Sequence, residues 1–168
     1  MKTLYLITGP AGVGKSTISL NLAHKLAKSA LIEGDEIYSQ VIGSYASPWK
    51  EGNHLNLMWQ NAQELIKNYL ENDYDVVFNY IIEPDKFNIL KDLFKDYEIR
   101  FIVLMVNADT LIERDKNRDI DCQMGERCLA LLDEFKNYNY DSKHILNTDN
   151  KTISECVLEI LENSDYIV

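Results

Sequence analysis

A glycine-rich segment near the start of the chain carries the residues best suited to chemistry. Residues 9–16 read GPAGVGKS and match the pattern G-x-x-x-x-G-K-[ST] of a phosphate-binding loop. Its glycines let the backbone turn tightly and point N–H groups inward, which creates an anion-binding nest at a helix N-terminus. We expect Lys15 to reach the β- and γ-phosphates of a nucleotide, and the Ser16 hydroxyl to bind Mg²⁺. The segment therefore predicts binding of a nucleoside triphosphate.

The flanking residues supply the strand and the helix that this loop requires. Residues 3–8 are an apolar run typical of a buried strand, and residues 17–28 place Ile18, Leu22 and Leu26 on one helical face. The alternative, an ordinary glycine-rich turn that enters a helix, explains this context less well. The residues predicted to bind the nucleotide here are Gly9, Ala11, Gly12, Val13, Gly14, Lys15, Ser16 and Thr17.

Two carboxylates follow the second apolar segment, residues 30–32. Glu33 and Asp35 are two apart at a strand end, so we expect their side chains to point to the same side. Asp35 could then accept the proton of an acceptor hydroxyl, and Glu33 could hold a water of the Mg²⁺ shell. The alternative is a solvated acidic turn in which Asp35 caps the next helix. The position, one strand after the phosphate-binding loop, favours the catalytic interpretation.

Three of the four arginines of the chain lie close together in sequence. Arg114 and Arg118 are four residues apart and share a helix face, and Arg127 follows after a short charged segment. Such a cluster suits a lid, at about residues 114–127, that neutralises charge on a transferred phosphoryl group. The pattern thus predicts catalytic roles for Arg114 and Arg118. The alternative is ion pairing on a helix surface, for instance of Asp115 with Arg118.

The stretch from residue 35 to residue 83 is expected to form the acceptor pocket. It contains no arginine, the residue that usually clamps a carboxylate or a nucleoside monophosphate. This favours an uncharged acceptor such as a nucleoside, a sugar alcohol or another small hydroxyl compound. Tyr45 and Trp49 are the best pocket candidates, whereas Trp59 is predicted to be structural and His54 to start a helix.

The rest of the chain alternates between strand and helix patterns. Apolar runs at residues 75–82, 99–106 and 144–147 predict three further strands, and amphipathic helices lie between and after them. This alternation indicates an α/β domain of three layers with a parallel sheet, and ligands bind such sheets at the carboxyl ends of the strands. We expect residues 1–168 to form one domain.

Composition narrows the possible partners and the compartment. The net charge is −10, from 17 lysine and arginine residues against 27 aspartate and glutamate residues, so nucleic acid is an improbable partner. No apolar run reaches the length of a membrane span, and the first strand leaves no room for a signal peptide. Three cysteines, Cys122, Cys128 and Cys156, lack metal-like spacing and are expected to be reduced, with a Cys122–Cys128 redox pair as the less favoured option. These features predict a cytoplasmic protein.

The phosphate-binding loop, the Glu33-Gly34-Asp35 turn and the arginine segment, in this order, resemble the small P-loop kinases. The branch in question includes shikimate kinase, gluconate kinase, chloramphenicol phosphotransferase and the polynucleotide-kinase-type domains. The resemblance implies a P-loop NTPase fold with a five-stranded parallel sheet, ATP with Mg²⁺ as cofactors, Asp35 as the base and Arg114 or Arg118 in the lid. It also implies that the loop at residues 147–150 contacts the adenine, with Asn150 as a nucleotide-binding residue. A simple turn in which Asp149 or Asn150 caps the last helix is the alternative.

One position departs from the pattern of P-loop enzymes. Their strand equivalent to residues 76–78 usually ends in an aspartate that serves the Mg²⁺ site, whereas this chain has Asn79. Glu33 or Asp35 would then take over that role beside Ser16. The sequence therefore predicts an ATP-dependent kinase that acts on a small hydroxyl compound. A nucleotide-binding regulatory protein without transferase activity is the alternative that Asn79 favours, and a nucleic-acid 5′-hydroxyl kinase is less compatible with the negative charge.

Overall fold

The computed structural model describes residues 2–117, 119–120 and 123–168. The strands are β1 (Thr3–Thr8), β2 (Ser29–Glu33), β3 (Asp75–Asn79), β4 (Glu98–Met105) and β5 (Ile145–Asn147). The α-helices in this part of the chain are α1 (Lys15–Lys25), α2 (Gly34–Ser39), α3 (Leu55–Glu71), α4 (Pro84–Leu93), α5 (Ala108–Lys116), α6 (Glu126–Asn137) and α7 (Ile153–Glu162). The strands pair in parallel in the order β2-β3-β1-β4-β5, which confirms the predicted five-stranded parallel sheet.

Each face of the sheet packs against its own set of helices. Leu4 and Leu6 of β1 point into a core formed with α2, α3 and α4, whereas Tyr5 and Ile7 point into a second core formed with α1, α5 and α7. Successive side chains of a strand point to opposite faces, so a central strand that is buried on both sides must be apolar throughout. The predicted three-layer α/β architecture is therefore confirmed. Trp59 belongs to the first core and is 6% exposed, as the sequence predicts.

The first helix starts and ends earlier than its hydrophobic pattern suggests. α1 spans Lys15–Lys25, whereas the sequence predicts residues 17–28. It starts early because Gly14, with φ 106°, is its N-cap, so the last two residues of the phosphate-binding loop are already helical. It ends early because Leu26 adopts an extended conformation, and the Ser29 hydroxyl then donates to the Ala23 carbonyl at 2.6 Å. The start of this helix is thereby part of the binding loop.

The third strand is shorter than the predicted run of residues 75–82. β3 ends at Asn79, which pairs with Ile7 of β1. The Thr8 hydroxyl accepts a hydrogen bond from the Ile82 N–H at 2.9 Å and leads the chain away from the sheet. Tyr80 and Ile81, which follow the strand, line the cavity above the carboxyl edge of the sheet, whereas Ile82 is buried.

The other boundaries agree closely with the sequence pattern. His54 is the N-cap residue of α3, as predicted, and Pro84 occupies the first turn of α4, where a proline is tolerated. None of the described helices is long and apolar enough to cross a lipid bilayer. Cys128 and Cys156 are buried, whereas Cys122 lies outside the described residues, so the suggested Cys122–Cys128 pair stays a prediction.

Candidate functional site

A cavity of about 640 Å³ opens at the carboxyl edge of the sheet. Residues 11–18 of the phosphate-binding loop and α1 form its floor. We call the end that continues to Arg114 and to residues 148–156 the nucleotide half, and the end lined by α2 and residues 45–49 the acceptor half. Of the predicted nucleotide-binding residues, Ala11, Gly12, Val13, Gly14, Lys15, Ser16, Thr17 and Arg114 line the cavity.

The phosphate-binding loop keeps its shape through glycine conformations. Gly12 and Gly14 have φ angles of 85° and 106°, in the left-handed region that favours glycine. Gly9 has a φ of 147°, and a Cβ atom there would lie 2.5 Å from the Leu104 carbonyl oxygen of β4. Gly9 is thus required by packing against the sheet, although it is not among the residues that line the cavity.

Lys15 lies across the mouth of this loop. Its ammonium group donates hydrogen bonds to the Gly9 carbonyl at 2.9 Å and to the Pro10 carbonyl at 3.0 Å. These contacts keep a positive charge next to the backbone N–H groups of the nest. The charge of Lys15 and the N–H groups of the nest both favour binding of an anion. A phosphate that binds there would replace the two neutral carbonyl groups as hydrogen-bond acceptors of Lys15.

Arg114 is held in the nucleotide half by hydrogen bonds and does not lie at the tip of a lid. Its Nη1 donates to the Val13 carbonyl at 3.0 Å and to the Thr148 hydroxyl at 2.9 Å, and its Nη2 donates to the Thr148 carbonyl at 3.0 Å. The guanidinium group therefore joins the phosphate-binding loop to the segment after β5. Arg118, predicted to share its role, lies outside the described residues.

The segment after β5 closes the far end of the nucleotide half. Thr148, Lys151, Ile153 and Cys156 line the cavity, whereas Asn150 is not among the lining residues. Thr152 caps α7 through a reciprocal capping box with Glu155, so the suggestion that Asp149 or Asn150 caps this helix is wrong. Ile153 and Cys156 escaped the sequence analysis, because a helical apolar residue carries no mark that distinguishes a cavity wall from core.

The two acidic residues are not placed as their spacing suggests. α2 begins at Gly34, so Asp35 lies in its first turn while Glu33 ends β2, and strand alternation does not relate them. The alternative in which Asp35 caps the helix is also wrong, because Glu33 is the N-cap residue. Asp35 lines the cavity and Glu33 is not among its lining residues. Only Asp35 is therefore placed to meet an acceptor directly.

Glu33 instead pairs with the unusual asparagine of β3. Asn79 is 3% exposed, and its Nδ2 donates to the Glu33 carboxylate at 3.1 Å across the paired strands β2 and β3. The pairing brings a carboxylate from the neighbouring strand to the strand end where P-loop enzymes carry their aspartate. The local sequence pattern does not predict this hydrogen bond, because Glu33 and Asn79 are far apart in the chain.

Tyr80 packs against the glycine that precedes Asp35. A Cβ atom on Gly34 would lie 2.5 Å from the Tyr80 ring, so this position accepts only glycine without a shift of the ring. Burial of Tyr80, and after it the negative charge of Asp35, raises the pKa of the phenol well above its usual value. The hydroxyl of Tyr80 therefore stays protonated and can act as a hydrogen-bond donor in the acceptor half.

Aromatic side chains form most of the acceptor half. Tyr38, Tyr45 and Trp49 line it, and Trp49 is 58% exposed. His54 stacks on Tyr38 with ring centroids 3.9 Å apart, and its Nε2 lies 3.0 Å from the Tyr38 carbonyl oxygen. Tyr45 meets both rings edge-on. His54 thus starts α3 and also anchors the loop that carries the exposed aromatic residues.

Arg127 enters the acceptor half from α6. Its guanidinium carbon lies 4.0 Å from the centroid of the Trp49 ring, a cation–π arrangement, and both residues line the cavity. The acceptor half therefore includes an arginine, Arg127, although residues 35–83 contain none. The sequence analysis assigned Arg127 to the lid, and only the folded chain shows that this residue meets Trp49.

The donor set fits a magnesium ion. Mg²⁺ prefers hard oxygen ligands and is usually bound through one or two carboxylates together with water and substrate phosphates, so a closed cage of protein ligands is not needed. The Ser16 hydroxyl and the Asp35 carboxylate line the same cavity, and the Glu33–Asn79 pair lies at the adjacent strand ends. Within the described residues no group of three or more histidine, cysteine, aspartate or glutamate side chains forms a metal cage.

The fold and this loop define a P-loop nucleotide-binding protein. A model of the AAA domain family matches residues 6–128, so the chain belongs to that family.

Three solved structures show how widely this fold is shared. The chain is similar to a sugar kinase from Janibacter sp. HTCC2649, with 13% identity, a TM-score of 0.72, and coverage of 99% of this chain and 96% of that chain. It is similar to a gluconokinase from Sinorhizobium meliloti 1021, with 19% identity, a TM-score of 0.67 and coverage of 96% and 90%. The tunicamycin resistance protein of Deinococcus radiodurans gives 17% identity, a TM-score of 0.66 and coverage of 95% and 94%. These matches confirm the resemblance to the small P-loop kinases at the level of the fold.

Proposed function

We propose that this protein transfers the γ-phosphate of ATP to a hydroxyl group of a small, uncharged acceptor. One observation carries the proposal: the Asp35 carboxylate and the phosphate-binding loop line the same cavity, which continues into an aromatic acceptor half. A phosphoryl donor site beside a carboxylate and an organic pocket is the arrangement that a hydroxyl kinase needs. The similarity of the fold to a sugar kinase and a gluconokinase supports this assignment.

Each group has a role that follows from its place. The nest of residues 11–16 and Lys15 bind the phosphates, and Arg114 holds the nucleotide; its hydrogen bonds to Val13 and Thr148, beside the loop, support this role. Asp35 accepts the proton of the acceptor hydroxyl, and its side chain has only to be aligned, because phosphoryl transfer depends mainly on positioning and charge neutralisation. Tyr80 lines the cavity beside the glycine that precedes Asp35, and its hydroxyl is expected to donate a hydrogen bond to the acceptor.

A magnesium ion is the expected cofactor. Ser16 and Asp35 would hold it, with Glu33 acting from the adjacent strand end through a water molecule. When bound, the ion supplies charge neutralisation for the phosphate oxygens. The lid is proposed to comprise residues 114–127, with Arg118 and Arg127 as cations that neutralise charge on the transferred phosphoryl group and Arg114 held at its start by hydrogen bonds to Val13 and Thr148.

The aromatic walls support an uncharged acceptor. Rings such as Tyr45 and Trp49 bind the apolar faces of hydroxyl compounds through contact area and not through charge. Arg127 brings a cation to this half, and its guanidinium carbon lies 4.0 Å from the centroid of the Trp49 ring. A nucleoside, a sugar alcohol or a similar hydroxyl compound fits this chemistry.

A regulatory protein that binds ATP without transferring phosphate is the second candidate. Asn79 favours it, because an amide does not carry the charge of the aspartate that P-loop enzymes have at this strand end. The hydrogen bond from Asn79 to Glu33 weakens this argument, since it supplies a carboxylate at the same edge of the sheet. A nucleic-acid kinase has no such support, given the net charge of −10.

The test measures ATP consumption with and without a panel of neutral hydroxyl compounds. Stimulation by one compound, reduced about 10²- to 10⁴-fold in Asp35→Asn, is the expected result because general-base catalysis contributes that much. Glu36→Gln is the matched control, since it removes a charge from the next residue of the same helix turn, and it should keep full stimulation.

Two outcomes would count against the proposal. Stimulation that survives in Asp35→Asn would remove this residue from the reaction. Tight binding of Mg·ATP by the wild-type protein, with no stimulation by any compound of a broad panel, would favour the regulatory protein.

A further inference from the structure

Asp115 is a buried carboxylate to which the proposed reaction assigns no role. It is 4% exposed and lies near the end of α5. Its Oδ1 accepts a hydrogen bond from the Met124 N–H at 3.0 Å, and its Oδ2 accepts one from the Gly125 N–H at 2.8 Å. A carboxylate leaves water only where hydrogen bonds compensate for the lost hydration, so these contacts tie the end of the lid segment firmly to α5.

The same contacts determine where α6 begins. Gly125 is the N-cap residue of α6 and has a φ of 56° and a ψ of −130°, a backbone conformation that favours glycine. The next turn continues from this point, with the Arg127 N–H donating to the Met124 carbonyl at 3.2 Å. The position of Arg127 therefore depends on the backbone segment that Asp115 holds.

The side chain of Arg127 points back to the acceptor half. Its guanidinium group lies over Trp49 at 4.0 Å, and no residue in the described ranges accepts a hydrogen bond from it. A guanidinium group that lies over an aromatic ring still has N–H donors for the oxygen atoms of a ligand. The other cations of the cavity wall, Lys15, Arg114 and Lys151, are each hydrogen bonded to protein oxygens.

Trp49 in turn lies on an anchored loop. We call residues 45–53 the acceptor loop. The Tyr38 hydroxyl donates to the Ala46 carbonyl, and the stack of Tyr38 with His54 closes the other end of the loop. A continuous chain of contacts thus runs from Asp115 through Gly125 and Arg127 to the acceptor loop.

We propose that Asp115 is a positioning residue that places Arg127 against Trp49 and so joins the lid segment to the acceptor loop. Asp115 itself touches no ligand in this arrangement. Arg127 donates to the oxygen atoms of the transferred phosphoryl group or of the acceptor. The kinetic consequence rests on the proposed function, but the contact between Arg127 and Trp49 does not, so the two can fail separately.

The first experiment reads the contact directly. Trp49 and Trp59 are the two tryptophans of the chain, so Trp59→Phe leaves Trp49 as the single indole. Acrylamide quenching of its fluorescence should increase in Arg127→Ala, which uncovers one face of the ring. It should increase to a similar extent in Asp115→Asn, because an amide cannot accept from both backbone N–H groups through two oxygen atoms.

Matched variants separate this effect from a general loss of structure. Asp109→Asn removes the same charge from an exposed position of α5 and should leave Trp49 quenching unchanged. If Asp115→Asn does not fold, Gly125→Ala takes its place, because alanine resists the φ of 56° and withdraws the Gly125 N–H from Asp115. Gly43→Ala, which adds the same methyl group in open space, is its control. Unchanged quenching in the folded Asp115 or Gly125 variant would overturn the proposal.

The second experiment uses kinetics to separate positioning from stability. Asp115→Asn and Arg127→Ala should each lower kcat about 10- to 100-fold, because a small displacement of a catalytic cation is costly. The dissociation constant for ATP should change little, since the nucleotide half does not include either residue.

A double variant gives the sharpest outcome. If Asp115 acts through Arg127, the Asp115→Asn/Arg127→Ala protein should be no slower than Arg127→Ala alone. Effects that multiply would show that Asp115 acts elsewhere and would overturn the proposal. Wild-type protein without acceptor-stimulated turnover would refute the proposed function, while the quenching results would still decide the positioning role.

Discussion

The nucleotide half and the acceptor half of the cavity are built in different ways. The nucleotide half consists largely of backbone groups of residues 11–16 and is held in place by the hydrogen bonds of Arg114 to Val13 and Thr148. The acceptor half consists of side chains on separate segments that meet through ring contacts, as Trp49 and Arg127 do. A site built from backbone groups binds the same ligand when side chains change. A site built from side chains can acquire a different ligand when those side chains are substituted.

The largest expected effect falls on the nucleotide half. Lys15→Ala removes the ammonium group that lies across the phosphate-binding loop, so acceptor-stimulated ATP turnover should fall at least about 10²- to 10³-fold. Binding of ATP, measured by calorimetry, should weaken as well. Lys25→Ala, at the exposed far end of the same helix, should behave as the wild type. Normal turnover in Lys15→Ala would show that binding in the nucleotide half does not depend on this ammonium group, contrary to the comparison.

An intermediate effect should be confined to the acceptor half. In Gly34→Ala the new methyl group would lie 2.5 Å from the Tyr80 ring, so the ring must move, at a cost of about 1–3 kcal/mol in the free energy of unfolding. The kcat/KM for the acceptor should fall about 10- to 100-fold because α2 also carries Asp35. Affinity for ATP should remain within about threefold of the wild type.

Two results would bear on this prediction. Gly43→Ala adds a methyl group where no atom lies within 4 Å, so it should leave stability and both affinities unchanged. Equal losses of ATP affinity and of acceptor kcat/KM in Gly34→Ala would mean that the halves are mechanically coupled, contrary to the comparison.

The smallest expected effect lies outside both halves and concerns pH. His144 is 5% exposed and packs against the rings of Phe87 and Phe101, and burial lowers the pKa of its imidazole below the ordinary 6.5. The unfolded chain therefore binds a proton more readily than the folded protein. The free energy of unfolding should consequently decrease as the pH falls below about 6.5, by at most about 1.4 kcal/mol per pH unit for this one group.

Chemical denaturation between pH 5 and pH 8 measures this slope. His144→Gln should flatten it, whereas His24→Gln, a change at an exposed position of α1, should not. The nucleotide and acceptor affinities of His144→Gln at neutral pH should match the wild type, because the residue does not line the cavity. A slope that persists in His144→Gln would assign the acid sensitivity to other groups.

The places where sequence reasoning failed share one physical cause. The Glu33-Gly34-Asp35 segment is expected to be a turn with both carboxylates on one side, yet α2 begins at Gly34, which packs against Tyr80. Asp115 was considered as a surface partner of Arg118, yet it is buried and binds the backbone of Met124 and Gly125. In each case the deciding contact comes from a residue that local periodicity does not reach.

The sequence by itself determined the phosphate-binding loop, the order of strands and helices, and the parallel sheet. It could do so because a glycine-rich turn, a helix start and an apolar strand are set by backbone geometry and by neighbours within a few residues. Tertiary structure alone decided the pairing of Asn79 with Glu33, the contact of Arg127 with Trp49 and the buried position of Asp115. These depend on how segments far apart in the chain pack around the sheet, and packing between distant segments leaves no local pattern in the sequence.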